Sequence, residues 1–538
     1  MLKRAIWIAA LSSAFTLVTS TTAVAGVTTP VRASALASPL AACASQDAPQ
    51  IAASGGRNFL NAEVEPTVGV FGDNVIGMWH EDRWSNGGGH GIGLGTSANG
   101  GAGWSNGTMP WDLCAPGAPS SLQIYLRNSD PWVSFGPDGT AYASALAFNL
   151  GFGANGAPAN ANSVVVATSQ NFGATWTGVQ AIPGSAFSQF NQSTDKNSTT
   201  ADPRMSHAGT AYTVWDTLFE PTDNPDDNPH TSSYTGPGFF SKTTDFGQTW
   251  SQAKVIVNTN QRQQTIGNII VVDPRNGTLY DFLDLIISPN TPRQGTRSNA
   301  QVAVVKSTDG GETWSQPQII APFNSLGVHD PNTGEALRVG DGLEEVAIDP
   351  ANGNLYVVWE SSTNFQKQLK QSSGTWDDQI LLARSTDGGQ TWTAPTPIHT
   401  AGGLPTFTPQ VAVNNGVVAV TYYDTRFLAA GQMANLPTDY WVEYSTDSGA
   451  SFHGETRITS TSFDSRTAPV ARGFFLGDYE GLVPMGTNSF GALFVKTNCN
   501  ADTAGNFTPG GACAPARSTS AATSNTNPTD AFFVKATP

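Results

Sequence analysis

An eight-residue motif recurs along this chain, and its spacing constrains the fold more than any other sequence feature. The pattern Ser-x-Asp-x-Gly-x-Thr-Trp is intact twice, and four looser copies replace one or more of its fixed positions. The six copies span residues 97–104, 169–176, 243–250, 307–314, 385–392 and 445–452. Successive copies begin 60 to 78 residues apart. Self-similarity at such a period indicates a repeat architecture.

The chemistry of this octet is that of a tight hairpin turn. Asp and Ser side chains accept hydrogen bonds from nearby backbone N–H groups, and Gly tolerates a positive φ. The aromatic residue that ends the octet is expected to pack the turn onto the sheet beneath. We therefore interpret Asp309, Asp387 and their counterparts as structural rather than catalytic residues.

A second unit recurs between the octets and predicts two further strands. It consists of an acidic residue, often a Pro, a short apolar strand, a Gly/Asn/Asp turn and a strand rich in Tyr, Val and Trp. Its seven copies begin near residues 65, 130, 202, 268, 344, 409 and 478. With one strand before and one after each octet, every repeat has four strands, as in a β-propeller blade.

We predict an all-β fold, a β-propeller of seven four-stranded blades, with six blades as the alternative. The octets would join the third and fourth strands of each blade. The seventh unit ends at residues 530–535 without an octet. A strand from the N-terminal part of the chain, around residues 58–63, would complete that blade and close the ring.

The N-terminus has the features of an export signal. Lys3 and Arg4 precede an apolar stretch over residues 5–18, and small residues at 23–25 form a cleavage pattern. The stretch is shorter than the roughly 20 residues of a membrane span. We expect a signal peptide over residues 1–25, a flexible lead-in over 26–57 and a single propeller domain over 58–538. The protein would be secreted, extracellular or periplasmic, with no membrane span.

The four cysteines favour disulfide bonds, because an even number in an exported chain usually pairs. Cys499 and Cys513 flank a Gly-rich loop, so they are the natural local pair, which leaves Cys43 with Cys114. The sequence alone does not determine this connectivity. The spacing matches no zinc motif.

The charge balance excludes one class of partner. The chain has 26 Lys and Arg against 42 Asp and Glu, a formal charge of −16. Binding of nucleic acid depends on clustered basic residues, so we expect no nucleic-acid partner. A closed propeller exposes no sheet edge that demands a partner, and we expect a monomer.

The acidic residues that begin the repeated units are the candidate chemistry. In a propeller the first strand of each blade lines the central channel, so these side chains would converge at one mouth. Crowded carboxyl groups raise each other's pKa, and paired carboxyl groups hydrolyse glycosidic bonds. Alternatively, the ring binds backbone N–H groups of neighbouring blades or holds a structural calcium ion. The set is Glu65, Asp130, Asp202, Glu344 and Asp478.

The octet is the Asp-box (BNR) repeat, and residues 60–535 resemble the sialidase-like β-propeller superfamily. That resemblance implies a glycoside hydrolase in which a Tyr nucleophile is helped by a Glu. An Asp serves as acid/base and three Arg hold the sugar carboxylate. No cofactor is implied.

Residue by residue, the segment around Tyr479 resembles that of the nucleophile, and Glu344 or Glu345 resembles its helper. Acid/base candidates and substrate contacts follow from the positions of the remaining polar residues. The acid/base candidates are Asp478, Asp130 and Asp202, and the substrate-contact candidates are Arg204, Arg426 and Glu65.

This chain departs from the family where the first Arg of the clamp should lie. Glu65-Pro66-Thr67 occupies that place. A bidentate guanidinium is what holds a carboxylate substrate, so the departure counts against a true sialidase. Arg338 is a further clamp candidate.

The sequence therefore favours a carbohydrate-active propeller, a glycoside hydrolase of sialidase-like ancestry whose substrate is unassigned. Its partner would be a carbohydrate or glycoconjugate. Two alternatives stay open: a non-catalytic propeller that binds glycan or protein, and a polysaccharide lyase. A lyase would need a Tyr or His base beside an Arg or Lys that neutralises a uronate.

Overall fold

A computed structural model describes residues 26–220, 234–287, 300–340, 343–362, 378–399, 405–500, 513 and 527–538. The predicted all-β class is confirmed. The helices in these ranges are short, at Ala41–Gln46, Asp47–Ser54, Met205–His207 and Ser465–Thr467. None of them has the length and apolar character needed to span a bilayer. The predicted signal peptide over residues 1–25 lies outside the described residues.

Antiparallel strands follow one another along the chain in seven groups, each pairing strand by strand in sequence order. Groups 1 and 2 contain Val64–Phe71, Asn74–Glu81, Gly91–Ser97 and Ser105–Thr108, then Arg127–Phe135, Ala141–Phe148, Asn162–Ser169 and Thr177–Ala181. Groups 3 and 4 contain Gln192–Ala201, Ala211–Phe219, Gly238–Thr243 and Lys254–Val257, then Gln263–Val272, Leu279–Ile287, Ala300–Ser307 and Gln318–Phe323. Groups 5 and 6 contain Glu345–Ile348, Leu355–Ser362, Asp378–Ser385 and Thr396–Pro397, then Thr406–Asn414, Val417–Asp424, Pro437–Ser445 and His453–Arg457. Group 7 contains Gly481–Met485, Ser489–Thr497 and Thr529–Thr537.

Short strands connect the groups. Thr235–Gly236 joins groups 3 and 4 into one nine-stranded sheet, and Phe463–Asp464 pairs with the third strand of group 6. A separate three-stranded sheet lies between connecting segments and contains Val328–His329, Ala336–Arg338 and Phe474–Phe475.

The first strands of the groups contact one another in a closed sequence. Each contacts the first strand of the next group, and the first strand of group 7 contacts that of group 1. The side chains that start these strands therefore face a common centre.

The octets form the same loop in every copy. In group 4 the Ser307 hydroxyl donates to Asp309 Oδ1 at 2.8 Å and accepts the Gly311 N–H at 2.9 Å. Asp309 also accepts the N–H and the hydroxyl of Thr313. Gly311 has φ +85°, and a Cβ there would lie 2.4 Å from the Phe240 ring. Each octet is thus a closed hydrogen-bonded turn that requires Gly at its fifth position.

The aromatic residue of the octet packs on the preceding group of strands. Trp314 of group 4 lies 5.5 Å from Phe240 of group 3, and Trp392 of group 5 lies 5.8 Å from Phe282 of group 4. Trp104 of group 1 lies 5.5 Å from Phe533 of group 7. The octets therefore link neighbouring groups as well as closing their own hairpins.

The N-terminal segment completes group 7, through different residues from those expected. Gly26–Val27 and Val31–Arg32 pair with Thr529–Thr537. Asn58 instead makes a single bridge to Trp84. Buried Gln50, in helix Asp47–Ser54, accepts a hydrogen bond from Arg127 in group 2. Residues 26–57, where composition predicts a flexible lead-in, thus contact group 7 and group 2.

Both disulfide bonds are present with the pairing that the spacing favours. Cys43 bonds Cys114 and Cys499 bonds Cys513. The first closes a stretch of 71 residues and attaches the N-terminal segment to the connection between groups 1 and 2.

The octet carboxylates predict a loss of stability in acid. Hydrogen bonds from Thr391 lower the pKa of Asp387 to about 2. A group whose folded pKa is depressed stabilises the fold above its unfolded pKa, and that contribution disappears as pH falls through the folded value. We expect Asp387→Asn to lower the melting temperature at pH 7, and the difference from wild type to vanish between about pH 4 and pH 2. Thermal melts across this range check it. The exposed Asp73→Asn is the matched control, and an equal effect in both variants would contradict the assignment.

Candidate active site

A β-bulge near the start of the first strand positions the candidate side chains. In five groups the pairing with the second strand shifts register there. The bulge residue has a positive φ each time, an uncommon conformation outside Gly. The five are Glu65, Asp130, Lys196, Gly267 and Thr408. Glu65, Asp130 and Lys196 are therefore structurally equivalent residues, all directed by the same bulge.

A buried lysine lies at the centre of the cluster. Lys196 Nζ lies 3.3 Å from the centre of the Tyr479 ring and 5.8 Å from that of Trp132. Tyr479 packs on Trp132 and donates its hydroxyl hydrogen to the Pro131 carbonyl at 3.3 Å. The ammonium group is attracted to both aromatic faces.

Glu65 and Asp130 meet on either side of His80. The Asp130 N–H donates to His80 Nε2 at 2.8 Å, and Glu65 Oε2 lies 2.6 Å from the same nitrogen. The other ring nitrogen, Nδ1, lies 3.3 Å from Arg83 Nη1. Burial and the Arg83 charge hold the pKa of His80 well below its usual range. Burial thus favours the neutral form of His80 and also the protonated form of Glu65.

Asp478 is the anionic member of the cluster. Arg338 Nε lies 3.1 Å from Asp478 Oδ1, and Nη2 lies 2.5 Å from Oδ2. Burial opposes ionisation, but this bidentate guanidinium outweighs it and holds the pKa of Asp478 below its usual range. The Asp478 side chain is 12% exposed and that of Arg338 is 22% exposed, whereas Glu65 is 2% exposed. The ion pair is therefore the open edge of the cluster.

The neighbouring carboxyl groups have raised pKa values. Burial raises the pKa of Glu65 to about 7, and the charge of Asp478 adds to this. Burial also raises the pKa of Glu345 to about 7 and that of Asp195 to about 6. The pKa of Asp130 is raised by burial and by Glu65. One ionised carboxylate thus lies among carboxyl groups whose pKa values are raised towards neutrality, which suits acid/base chemistry.

Of the predicted helper pair, Glu345 interacts with Lys196 and Tyr479, and Glu344 lies beside the bulge residue of group 4. Glu345 interacts electrostatically with Tyr479 and Lys196. Glu344 is buried against group 4, where a Cβ at Gly267 would lie 3.1 Å from its Oε2. Burial, followed by the Asp284 charge, raises the pKa of Glu344 well above its usual range.

Tyr479 lies in the cluster, but its hydroxyl group is poorly placed to ionise. Burial and the surrounding carboxylates raise its pKa well above the usual range.

Asp202 and Arg204 lie at the other end of the first strand of group 3. That strand ends at Ala201, and Lys196, not Asp202, occupies the position equivalent to Glu65. Six residues of strand separate Lys196 from Asp202 by about 20 Å. Arg204 forms a bidentate pair with Asp202 there, at 2.9 and 2.6 Å. Asp202 and Arg204 are thus not brought to the cluster.

Arg426 is held in a different network. It lies over the Trp441 ring at 3.7 Å and donates to Asp424 and Glu455. These contacts belong to group 6 and its boundary with group 5, away from the axial cluster.

Sequence reasoning missed Lys196 and Asp195. The turn after the first strand covers residues 72–73 in group 1 but 202–210 in group 3, so counting back from the second strand misaligns the groups. The sequence clue was chemical, since Lys196 is the one basic residue of the polar strand Gln192–Ala201.

Two groups of ligand-type side chains in the described ranges are compact enough for a metal ion. One is Glu65, His80 and Asp130, whose ligand atoms lie within 4.8 Å of one another. There the Asp130 N–H occupies the His80 lone pair that a metal would need. The other contains His399, Glu443 and Glu455.

The chain is similar to known proteins over part of its length. The family described as BNR/Asp-box repeat matches residues 383–394. A sialidase of Bacteroides fragilis (strain YCH46) is 24% identical over 219 residues, which cover 38% of each chain. The xyloglucanase Xgh74A of Acetivibrio thermocellus is 28% identical over 192 residues, covering 35% of this chain and 19% of the relative. The matches thus span well under two thirds of these relatives.

Among solved structures, the α-L-arabinanase of Penicillium chrysogenum complexed with arabinobiose is 9% identical, with a TM-score of 0.42. The alignment covers 95% of this chain and 98% of that one. The predicted resemblance to the sialidase-like (BNR/Asp-box repeat) superfamily is confirmed by the repeat and the sialidase relative. These relatives are distant, and none of them is a close match.

The raised pKa of Glu65 predicts that this residue destabilises the fold in alkali. A carboxyl whose folded pKa exceeds its unfolded value binds its proton more tightly when folded, so stability falls as pH rises from about 4.5 to about 7. We expect Glu65→Gln to gain stability relative to wild type between pH 5 and pH 8, by about 2–3 kcal/mol. Denaturant unfolding at the two pH values measures this. The exposed Glu312→Gln is the control, and a pH-independent difference for Glu65→Gln would refute the shift.

Lys196 lowers the pKa of six carboxyl groups, at Glu65, Asp130, Asp195, Asp216, Glu345 and Asp478. Its removal should leave these charges uncompensated. We expect Lys196→Met to cost about 2 kcal/mol or more at pH 7. The loss should be smaller at pH 5, where more of these groups are protonated. Unfolding titrations at both pH values check this, with the surface variant Lys254→Met expected to change little. A loss that is equal at both pH values would contradict the electrostatic role.

Proposed function

We propose that this chain is a secreted seven-bladed β-propeller that acts on carbohydrate as a glycoside hydrolase. The observation that carries the proposal is the axial cluster, in which one ionised carboxylate, Asp478, paired with Arg338, lies beside carboxyl groups whose pKa values are raised towards neutrality. Such a division of pKa values is what glycoside hydrolysis requires of its acid and its base or nucleophile.

The strand array supports the propeller. The strands form seven antiparallel groups, and the first strands of these groups contact one another in a closed cycle. N-terminal strands complete group 7, as expected for a ring of blades that both chain ends close. The two disulfide bonds are compatible with export. Relatives named as a sialidase and a xyloglucanase support the carbohydrate class without identifying the sugar.

In the mechanism we propose, Glu65 is the general acid. Its burial raises the pKa of the carboxyl group to about 7, and neutral His80, whose Nε2 lies 2.6 Å from Glu65 Oε2, positions that group. Asp478, kept ionised by Arg338, acts as base or nucleophile at the open edge. Because the Tyr479 hydroxyl donates to Pro131 and its pKa is raised, Asp478 is a better anionic group than Tyr479. No cofactor enters this scheme, and structural calcium at the ring stays a prediction.

A second candidate is a non-catalytic propeller that binds glycan or protein. The burial of the cluster favours it, because Glu65 and Tyr479 are 2% and 1% exposed and the Arg338–Asp478 pair covers them. In that case the charged cluster is structural and the ligand contacts only the outer rim.

A panel of chromogenic glycosides and polysaccharides tests the hydrolase, scored for both reducing-end release and unsaturated products. We expect hydrolysis of at least one member, and a loss of about 10²–10⁴-fold in Asp478→Asn and in Glu65→Gln. The exposed Asp73→Asn is the control and should keep full activity.

The other results exclude either the hydrolase or the roles assigned to its residues. Unsaturated products would indicate a lyase, in which Lys196 beside Tyr479 has the required chemistry. Retention of a glycan on an affinity column without turnover would indicate the binding propeller. Full activity in both Asp478→Asn and Glu65→Gln would overturn the assigned roles.

A further inference from the structure

A second cluster of ligand-type side chains lies between groups 5 and 6. His399 follows the last strand of group 5, Thr396–Pro397. Tyr422, Glu443 and Glu455 belong to the second, third and fourth strands of group 6. Nothing in the proposed hydrolysis uses these four residues.

Four ligand atoms of this cluster meet at short range. The Tyr422 hydroxyl oxygen lies 2.6 Å from Glu443 Oε1 and 2.6 Å from Glu455 Oε1. His399 Nδ1 lies 3.0 Å from that hydroxyl oxygen, 3.2 Å from Glu443 Oε1 and 3.0 Å from Glu455 Oε1. Five of the six distances among these four atoms are therefore 3.2 Å or less.

Hydrogen bonding among the four side chains does not account for both short contacts of Tyr422. Its hydroxyl group has one hydrogen, and an ionised carboxylate can only accept. One of the two 2.6 Å contacts therefore brings lone pairs together unless a second proton or a cation lies between them. The cluster thus has a place for additional positive charge.

The three contacts of His399 Nδ1 fit a small divalent cation, whereas the two 2.6 Å contacts of Tyr422 would lengthen when it binds. Zinc binds His nitrogen and carboxylate oxygen at about 2.0–2.2 Å. A tetrahedron with such bonds has edges of about 3.3 Å, only slightly longer than the contacts around His399. His nitrogen with carboxylate oxygen is a ligand set that suits zinc and similar transition metals better than calcium.

The surroundings supply both an outer shell and an access route. Arg426 Nη1 and Nη2 donate to the two oxygens of Glu455, each at 2.6 Å, as outer-shell partners of metal ligands commonly do. Arg426 Nη2 is 3.5 Å from His399 Nε2, too far to dictate which ring nitrogen is protonated. Glu455 is 30% exposed, whereas His399 and Glu443 are buried, so a cation could enter from the side of the fourth strand.

We propose that His399, Glu443 and Glu455, with the Tyr422 hydroxyl oxygen at the fourth corner, bind a divalent transition-metal cation of the Zn²⁺ type. The cation would connect the segment after group 5 to three strands of group 6. Its role would be structural, because it would link groups 5 and 6. Among the described residues, no disulfide bond or octet tryptophan links the two groups at this place. This proposal does not depend on the proposed hydrolase activity.

Zinc content tests the proposal directly. The full chain, stripped with chelator and dialysed against micromolar Zn²⁺, should retain one zinc per chain by elemental analysis. Zinc should also raise its melting temperature, and chelator should reverse the rise. His399→Gln and Glu443→Gln should each lose the bound zinc and the thermal response. The exposed His453→Gln is the matched control and should keep both.

A measurement on the unaltered protein guards against variants that fail to fold. Crystals grown with Zn²⁺ should show an anomalous scattering peak at the zinc edge between His399 Nδ1, Glu443 and Glu455. Absence of bound zinc in the wild type, zinc retained in both cluster variants, or an anomalous peak elsewhere would each overturn the proposal.

Discussion

The bulge at the start of the first strand is the constraint on which the centre of this protein depends. Its left-handed residue costs conformational energy outside Gly, yet five groups of strands keep it. The bulge turns the residue out of the strand pairing and into the space that the first strands share. Because those strands contact one another in a closed sequence, residues far apart in the chain meet there. Glu65, Asp130 and Lys196 are neighbours for this reason.

The charge of Lys196 then makes the carboxyl groups of the centre tolerable. Burial removes water from each carboxylate, and the surrounding groups replace that solvation only in part. The pKa values of most of these carboxyl groups are therefore raised. Asp478 is the exception, because the Arg338 guanidinium binds both of its oxygens. The same burial that makes the cluster costly is what separates its pKa values, so stability and candidate chemistry have one origin.

Acidic residues serve two opposite purposes in this fold. In the octets they are exposed, accept several hydrogen bonds and have depressed pKa values. At the axis they are buried and have raised pKa values. The two sets have opposite effects on the pH dependence of stability. The octet carboxylates make the fold less stable as pH falls, and the axial carboxyl groups make it less stable as pH rises. Linkage then places the greatest stability between them, on the acidic side of neutrality.

The sequence by itself determined the repeat, the four strands per unit and the structural role of the octet Asp residues, and it favoured the disulfide pairs without determining them. These depend on local turn chemistry and spacing, which the order of residues carries directly. Tertiary structure decided which residues share the centre. The turn after the first strand differs in length between groups, so comparing the repeats by sequence assigns Asp202, instead of Lys196, to the central position. Arg204, which pairs with Asp202, was assigned to the site for the same reason. Glu65, Asp130, Glu345, Asp478 and Tyr479 were predictable as a set, but the pairing of Asp478 with Arg338 and of Arg426 with Glu455 was not. Such contacts join segments separated by up to 140 residues, and only the packed strands bring them within hydrogen-bond reach.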